Sequence, residues 1–147
     1  MNKLIKNNKV AFSIVTAIFV LFVTTQMLKS FLPNRENNLT LTKELSNLAR
    51  DVNKKAPVII DSSRRFDGIL VLPGNKLQYN YSILNKESKD IDTTTLIKLN
   101  RDFLLNIIKG SPDLNWLREN KVDLVAHFAD KKGGYVCAFE LSYLEYK

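Results

Sequence analysis

The chain has 147 residues, of which 45% are hydrophobic and 25% charged, and a net charge of +7. Its positive charge is concentrated at one end: residues 1–35 carry five basic side chains and no acid, whereas residues 36–147 carry 17 basic and 15 acidic ones. The nearly balanced main part lacks the basic excess of a nucleic-acid-binding domain, so nucleic acid is not an expected partner. The single cysteine, Cys137, excludes an internal disulfide, and the fold must depend on its own core.

Residues 10–28 form an uncharged run of 19 residues, VAFSIVTAIFVLFVTTQML. At about 1.5 Å per residue, a helix of this length spans the core of a bilayer. Three lysines precede the run, which predicts a cytoplasmic tail at residues 1–9 and export of the part that follows. We interpret residues 10–28 as an uncleaved signal anchor in the inner membrane. Two alternatives remain open: a cleaved signal peptide, although no convincing A-x-A site follows the run, and a core helix of a soluble protein, which would be amphipathic.

After a polar linker at residues 29–38, residues 39–147 predict one periplasmic domain. An apolar stripe at helical spacing indicates a helix from about Thr40 to Lys54, which Pro57 ends; it consists of Leu41, Leu45, Leu48 and Val52. A short β-branched strand, Val58–Ile60, comes next. Strands at residues 66–72 and 77–84 flank Pro73-Gly74-Asn75, the strongest turn signal in the chain, and therefore predict a hairpin.

In the second half of the domain, a predicted helix again precedes a predicted hairpin. Asp92 or Thr93 can cap a helix that ends at Gly110, and its expected buried stripe is Leu96, Leu99, Phe103 and Ile107. Residues 113–120 predict a further helical turn. Alternating strands from Val122 to Phe128 and from Tyr135 to Tyr143, joined by a turn at residues 130–134, predict a second hairpin. This order indicates an α+β domain with an antiparallel sheet and helices on one face.

Three short segments resemble a family of small bacterial exported or membrane-anchored α+β domains. The segments are a helix end followed by a strand, N-x-x-x-P with V-I-I-D at residues 53–61; a strand with alternating tyrosines, LQYNY at 77–81; and a hairpin around D-x-x-G at 130–133. The resemblance covers about half of the chain. It implies the fold and the location and carries no known activity. A cysteine expected before the last hairpin in similar sequences is missing, since Cys137 lies within the last strand, so a family disulfide is not expected here.

The strand that follows Pro73-Gly74-Asn75 raises the question of a binding surface. Its aromatic row, Leu77, Tyr79, Tyr81 and Ile83, is expected to face the helices as part of the core. The alternate row of Gln78, Asn80 and Ser82 then faces away and is a candidate protein-binding surface.

A second candidate is the polar cluster Asp61, Arg64 and Arg65, because paired guanidinium groups can hold an acidic partner or a phosphate. A solvated turn, with Asp61 bonded to the backbone two residues on, explains the same residues.

Few residues suggest catalysis or metal binding. The only histidine, His127, is expected on the outer face of its strand, half covered or exposed, and Cys137 is expected to be buried as a small apolar side chain. One cysteine and one histidine make a structural zinc site implausible, and clustered acids and a phosphate loop are absent from the sequence. We therefore expect no catalytic residue, metal, cofactor or small-molecule substrate.

Two functions from different classes fit these features. The first is a single-pass, membrane-anchored protein whose periplasmic domain binds another protein, as part of an envelope or secretion assembly. The second is a membrane-tethered inhibitor or immunity protein that blocks a toxin or a hydrolase, with an exposed acid such as Asp61 entering a basic active site.

Overall fold

The computed structural model describes residues 38–147, with side chains from residue 40 onward. The predicted cytoplasmic tail, the predicted membrane span at residues 10–28 and nearly all of the linker lie outside the described residues. No helix within residues 38–147 is long and apolar enough to span a bilayer. The anchor and the domain boundaries therefore stay predictions.

The described part of the chain is an α+β domain with four α-helices and five strands. The helices are α1 (Asn38–Asn53), α2 (Thr93–Gly110), α3 (Asn115–Glu119) and α4 (Tyr143–Tyr146). The strands are β1 (Val58–Asp61), β2 (Arg64–Leu72), β3 (Lys76–Ile83), β4 (Asp123–Ala129) and β5 (Tyr135–Leu141). Short 3₁₀ turns lie before α2 and α3, at Ser88–Asp90 and Pro112–Leu114. Within residues 38–147, the helices and strands predicted from the sequence are present, with shifts of their ends.

The five strands form one sheet in chain order, β1-β2-β3-β4-β5. Both predicted hairpins are present, β2 with β3 and β4 with β5, and β1 is also antiparallel to β2. The two central strands, β3 and β4, are parallel, so the prediction of an antiparallel sheet is wrong at this pair and the sheet is mixed. The connection between them contains α2 and α3, and such a crossover returns the chain to the end of the sheet where β3 began.

One face of the sheet carries the core, and the helices pack against it. Leu77 and Tyr79 of β3 are buried there with Leu45 and Leu48 of α1, which confirms that the aromatic row is mainly interior. From the C-terminal half, the core takes in these buried residues: Ile108, Leu114, Leu117, Val122, Leu124, Ala126, Phe128, Cys137, Phe139, Leu141 and Tyr146. We call the other side the open face, because it carries the alternate side chains of each strand and no described helix packs on it.

The chain ends in a helix where a continuing strand was predicted. Strand β5 stops at Leu141, and Tyr143 begins α4, so the predicted strand extends too far. Ser142 accepts from the Leu144 backbone N–H, and Glu145 accepts from the Ser142 backbone N–H, which together form a capping box. The resulting turn buries Tyr146, whose hydroxyl donates to the Val122 carbonyl at the start of the β4 region.

A single side chain fixes the end of α1 to the sheet. The Asn53 amide donates to the Ile69 carbonyl at 2.8 Å, and its oxygen accepts from the Ile69 N–H at 2.7 Å. The sheet register shifts at this point, between Phe66 and Gly68, and Gly68 has a φ of +133°. A Cβ on Gly68 would lie 2.5 Å from the Asn53 oxygen, so glycine is what lets the helix end approach β2. This contact sets where α1 lies on the sheet.

Candidate interaction site

The polar cluster predicted at Asp61, Arg64 and Arg65 is divided between the two faces of the sheet. Arg64 pairs with Asp61 at 2.8 Å, and Asp61 also accepts from the Ser63 backbone N–H at 2.8 Å. Burial alone would raise the pKa of Asp61, but the hydrogen bonds from Ser63 and Arg64 outweigh it and hold that pKa below its usual value. The turn interpretation therefore describes Asp61 and Arg64, because their charged groups already engage one another.

Arg65 instead lies on the open face. It pairs with Asp67, and its guanidinium reaches the Ser82 hydroxyl at 3.4 Å. Ser82 in turn donates to the other oxygen of Asp67 at 2.5 Å. This triad holds Ser82, one of the predicted contact residues, in a fixed and nearly buried position.

The rest of the predicted polar row also lies on the open face. The Gln78 amide donates to the Asn80 oxygen at 2.8 Å, and the Asn80 amide reaches the Gly68 carbonyl at 3.4 Å. Both side chains are half-buried and partly satisfied within the row. The structure thus brings Gln78, Asn80, Ser82 and Arg65 together, while their role in binding stays a prediction.

The residues considered for chemistry lie apart from one another. His127 is half-buried on the open face, with Asn80 and Ala138 as cross-strand neighbours and the Tyr135 ring 5.5 Å away. Cys137 is buried on the opposite face, and burial raises the pKa of its thiol. Within residues 38–147, metal-ligating side chains do not gather in groups of three or more.

The most unusual feature on the helix side is how little of α2 is buried. Only Ile108 of its 18 residues is fully buried, and Leu99 is 64% exposed. The predicted buried stripe is therefore wrong for Leu99, whereas Leu96 and Ile107 do pack against the core. The other residues of α2 that pack there are Ile97, Leu104, Leu105 and Ile108. Apolar residues extend over more than half of the circumference of α2, which is more than one packed face requires.

The direction of the exposed flank of α2 follows from Arg101. Its guanidinium donates to the Glu140 carbonyl of β5 at 2.6 Å and pairs with Glu145 of α4. At 100° per residue, Arg101 lies on one side of the Ile97–Leu104 line, and Leu96, Leu99 and Phe103 lie on the other. Since β5 is the edge strand, Leu96 and Phe103 lie on the flank directed inward along the sheet, whereas Leu99, about 150° from the Ile97–Leu104 line, points away from the sheet.

On the core face of the sheet, where α1 packs on β2 and α2 packs on β5, lies an aromatic floor in which Phe66, Phe128 and Phe139 are buried and Tyr81 is half-buried. The Tyr81 ring stacks on Phe128 at 5.3 Å and lies 5.6 Å from Phe66, and Phe128 lies 6.3 Å from Phe139. A small space of about 10 Å³ opens beside Leu104 and Tyr81. This space is far below the several hundred Å³ of a metabolite site and corresponds to about one water molecule. The term helix-side groove is used below for three parts together: the flank of α2 at Leu96, Leu99 and Phe103, the aromatic floor, and the neighbouring side of α1.

Sequence reasoning missed the helix-side groove because it assigned Leu99 and Phe103 to the core. The available signal was an excess: α2 carries apolar residues at positions 96, 97, 99, 103, 104, 105, 107 and 108, more than one stripe can bury. The wide apolar arc predicts that such a helix packs on more than one side, but it does not say which side the rest of the domain covers.

No protein-family model and no curated protein sequence matches the chain. Solved structures do. A candidate secreted protein from Pseudomonas aeruginosa matches with a TM-score of 0.62 and 16% identity, over 78% of this chain and 100% of that one. The type 2 secretion system pilotin EpsS from Vibrio vulnificus matches with a TM-score of 0.57 and 9% identity, over 74% of this chain and 93% of the other. The type II secretion system pilotin AspS from Vibrio cholerae gives a TM-score of 0.52 and 8% identity, over 72% and 92%. At these identities the likeness establishes the fold alone.

Proposed function

We propose that this protein is an exported, envelope-associated binding domain that serves a secretion or envelope assembly and holds an apolar helix of a partner protein in the helix-side groove. The observation that carries the proposal is the apolar flank of α2, where Leu99 is 64% exposed and Phe103 is half-buried, beside the aromatic floor. Exposed apolar surface in a concave setting is typical of a site for a protein partner. An amphipathic helix laid in a groove is one of the recurring ways in which such sites are filled.

The structural neighbours support the proposed setting. Two of them are pilotins of type II secretion systems, and a third is a candidate secreted protein. A protein of this shape in such a system would act by binding another protein, which agrees with the interaction-module hypothesis drawn from the sequence. The uncharged run at residues 10–28 extends the proposal to a single inner-membrane span, with residues 1–9 in the cytoplasm and residues 39–147 in the periplasm.

The groove is tested by photocrosslinking in intact cells. A photoreactive residue is placed at Phe103 in one strain and, as a matched control, at Leu144, which is 55% exposed on α4. We expect position 103 to capture one envelope protein, with the crosslink mapping to a helix whose apolar residues recur at i and i+4. Equal adducts at both positions, or adducts only with lipid at position 103, would contradict the proposal.

A charged substitution gives the energetic counterpart of this experiment. Burying an aromatic side chain contributes about 1.5–3 kcal/mol, so Phe103→Glu should weaken the captured partner's affinity at least tenfold. Leu144→Glu should leave the affinity unchanged. Equal losses in the two variants would indicate that the partner does not use the groove.

The proposed topology has its own test. A phosphatase fused after residue 147 should be active in the periplasm, and the domain should be digested when protease is added to spheroplasts. Protection of the domain from that protease would contradict the exported assignment while leaving the groove prediction to be tested separately.

A further inference from the structure

The open face combines apolar corners with a polar centre. Of the large apolar side chains that residues 38–147 leave exposed, three lie on this face: Ile59 at 64%, Leu70 at 50% and Tyr135 at 63%. They are spread from β1 to β5, whereas the central strand β3 carries only polar groups there. A surface of this kind needs a partner whose own apolar groups are spaced in the same way.

The sheet register places these side chains in straight rows across the strands. One row runs Ile59, Arg65, Ser82, Ala129 and Tyr135, from one edge of the sheet to the other. Its two ends are both exposed and apolar, and its centre is a serine on β3. Another row runs Leu70, Gln78, Val125 and Glu140, with Gln78 on β3. The polar row of β3 thus divides the open face into two halves.

From this arrangement we propose that the open face pairs with the open face of a second copy of this chain, around a two-fold axis that runs along β3. Such an axis stacks β1 on the partner's β5 and β2 on the partner's β4. It therefore sets Ile59 against the partner's Tyr135, and Leu70 against the partner's Val125, while Gln78 and Asn80 meet their own counterparts. Amide groups can donate and accept, so two copies of the same amide can bond one another.

The alternative two-fold axis, across the strands, does not produce these pairs. It stacks β1 on β1 and moves the two apolar ends of the first row to opposite ends of the sheet. An axis along the strands also places residue 38 of both chains at the same height along that axis. Both predicted anchors can then enter the same membrane. Lys76 meets its counterpart near this axis, but Glu140 at 2.6 Å and Asp123 at 3.9 Å neutralise its charge within each copy.

The size of the face indicates how strong the pairing is. Five strands about 4.8 Å apart and eight residues of about 3.3 Å give a face of about 19 by 26 Å. Two such faces bury about 1,000 Å² in total, at the lower limit for a specific interface. The dimer is therefore weak, and it depends on two copies sharing one membrane. The helix-side groove lies on the opposite face and stays open in this dimer.

Thiol crosslinking of the full chain in its own membrane tests the geometry. Cys137→Ala first removes the native thiol, and single cysteines are then introduced at Asn80, Ile59 and Tyr135. A two-thiol reagent with a spacer of about 8 Å matches packed sheets, which lie about 10 Å apart. Asn80→Cys, close to the axis, should give a product of twice the chain mass. Ile59→Cys alone should give none, because the two thiols lie about four strand spacings, roughly 19 Å, apart.

The decisive sample is a co-expressed mixture of the Ile59→Cys and Tyr135→Cys chains carrying different tags. We expect a crosslinked product that contains both tags, at several times the yield from either chain alone. Equal yields from Ile59→Cys and Asn80→Cys would indicate random collision and overturn the proposal. The proposal would also be overturned if Asn80→Cys gave no product, or gave a product of another mass. A product of another mass would show that a different protein covers the face.

Discussion

The Asn53 contact allows a prediction of stability to be worked out from the structure. Asn53→Ala removes both hydrogen bonds to Ile69, a residue that is 1% exposed, and leaves its backbone N–H and C=O without these partners. Losing two such bonds costs about 2–4 kcal/mol. That is a large fraction of the roughly 5–15 kcal/mol that holds a domain of this size together.

Asn53→Asp tests the two hydrogen bonds separately, because it keeps the acceptor and removes the donor. The carboxylate can still accept from the Ile69 N–H, but its second oxygen then faces the Ile69 carbonyl. We expect a loss close to that of Asn53→Ala at pH 7, with part of it restored below about pH 4, where the protonated acid donates again.

The assay is equilibrium unfolding in urea, followed by the fluorescence of Trp116, the single tryptophan of the chain. Asn106→Ala is the matched control, because Asn106 is exposed on α2, and it should stay within about 0.5 kcal/mol of the wild type. A free energy of unfolding for Asn53→Ala that lies as close to the wild type as this control would refute the idea that the contact holds α1 on the sheet.

Three further predictions concern the same framework. Gly68→Ala should be destabilising, since its Cβ would meet the Asn53 oxygen, and the loss should be smaller when it is measured in the Asn53→Ala background. Tyr146→Phe removes the bond to the buried Val122 carbonyl and should cost about 1–2 kcal/mol in urea unfolding, whereas an unchanged midpoint would argue that this hydrogen bond contributes nothing. The pKa of Asp61 is lowered in the folded state. The stability that Asp61 contributes is therefore fully present above the unfolded pKa of about 3.9 and is lost as pH falls through the folded pKa. Asp61→Asn should therefore flatten the fall in stability below pH 4, and an unaltered pH profile would contradict that assignment.

The parts of the fold that follow from short stretches of sequence could be predicted. Proline and glycine at residues 73–74 and Asp130 with Gly133 define the two hairpins through local turn chemistry. The parallel pairing of β3 with β4 joins residues more than 40 positions apart, and nothing local distinguishes it from an antiparallel pair. The end of β5 does have a local signal, since Ser142 and Glu145 have the spacing of a capping box.

The candidate surfaces were predicted less completely than the fold. Strand alternation correctly placed the polar row of Gln78, Asn80 and Ser82 away from the core, because a period of two fixes the face. It could not separate Arg64 from Arg65 in function, although the same alternation sends them to opposite faces. For α2 the apolar arc was too wide for a period of 3.6 to identify the buried side, so Leu99 and Phe103 were assigned to the core.

The most direct test of the proposed binding mode compares the two faces of the sheet within one experiment. Photoreactive residues are placed at Leu99, at the outer rim of the helix-side groove, and at Gln78, on the open face, and each chain is expressed in its own envelope. We predict that position 99 captures a different envelope protein and that position 78 captures only a second copy of this chain. Capture of the partner through position 78 but not through position 99 would contradict the groove. A toxin or hydrolase captured at either position would favour the inhibitor function over a role in secretion.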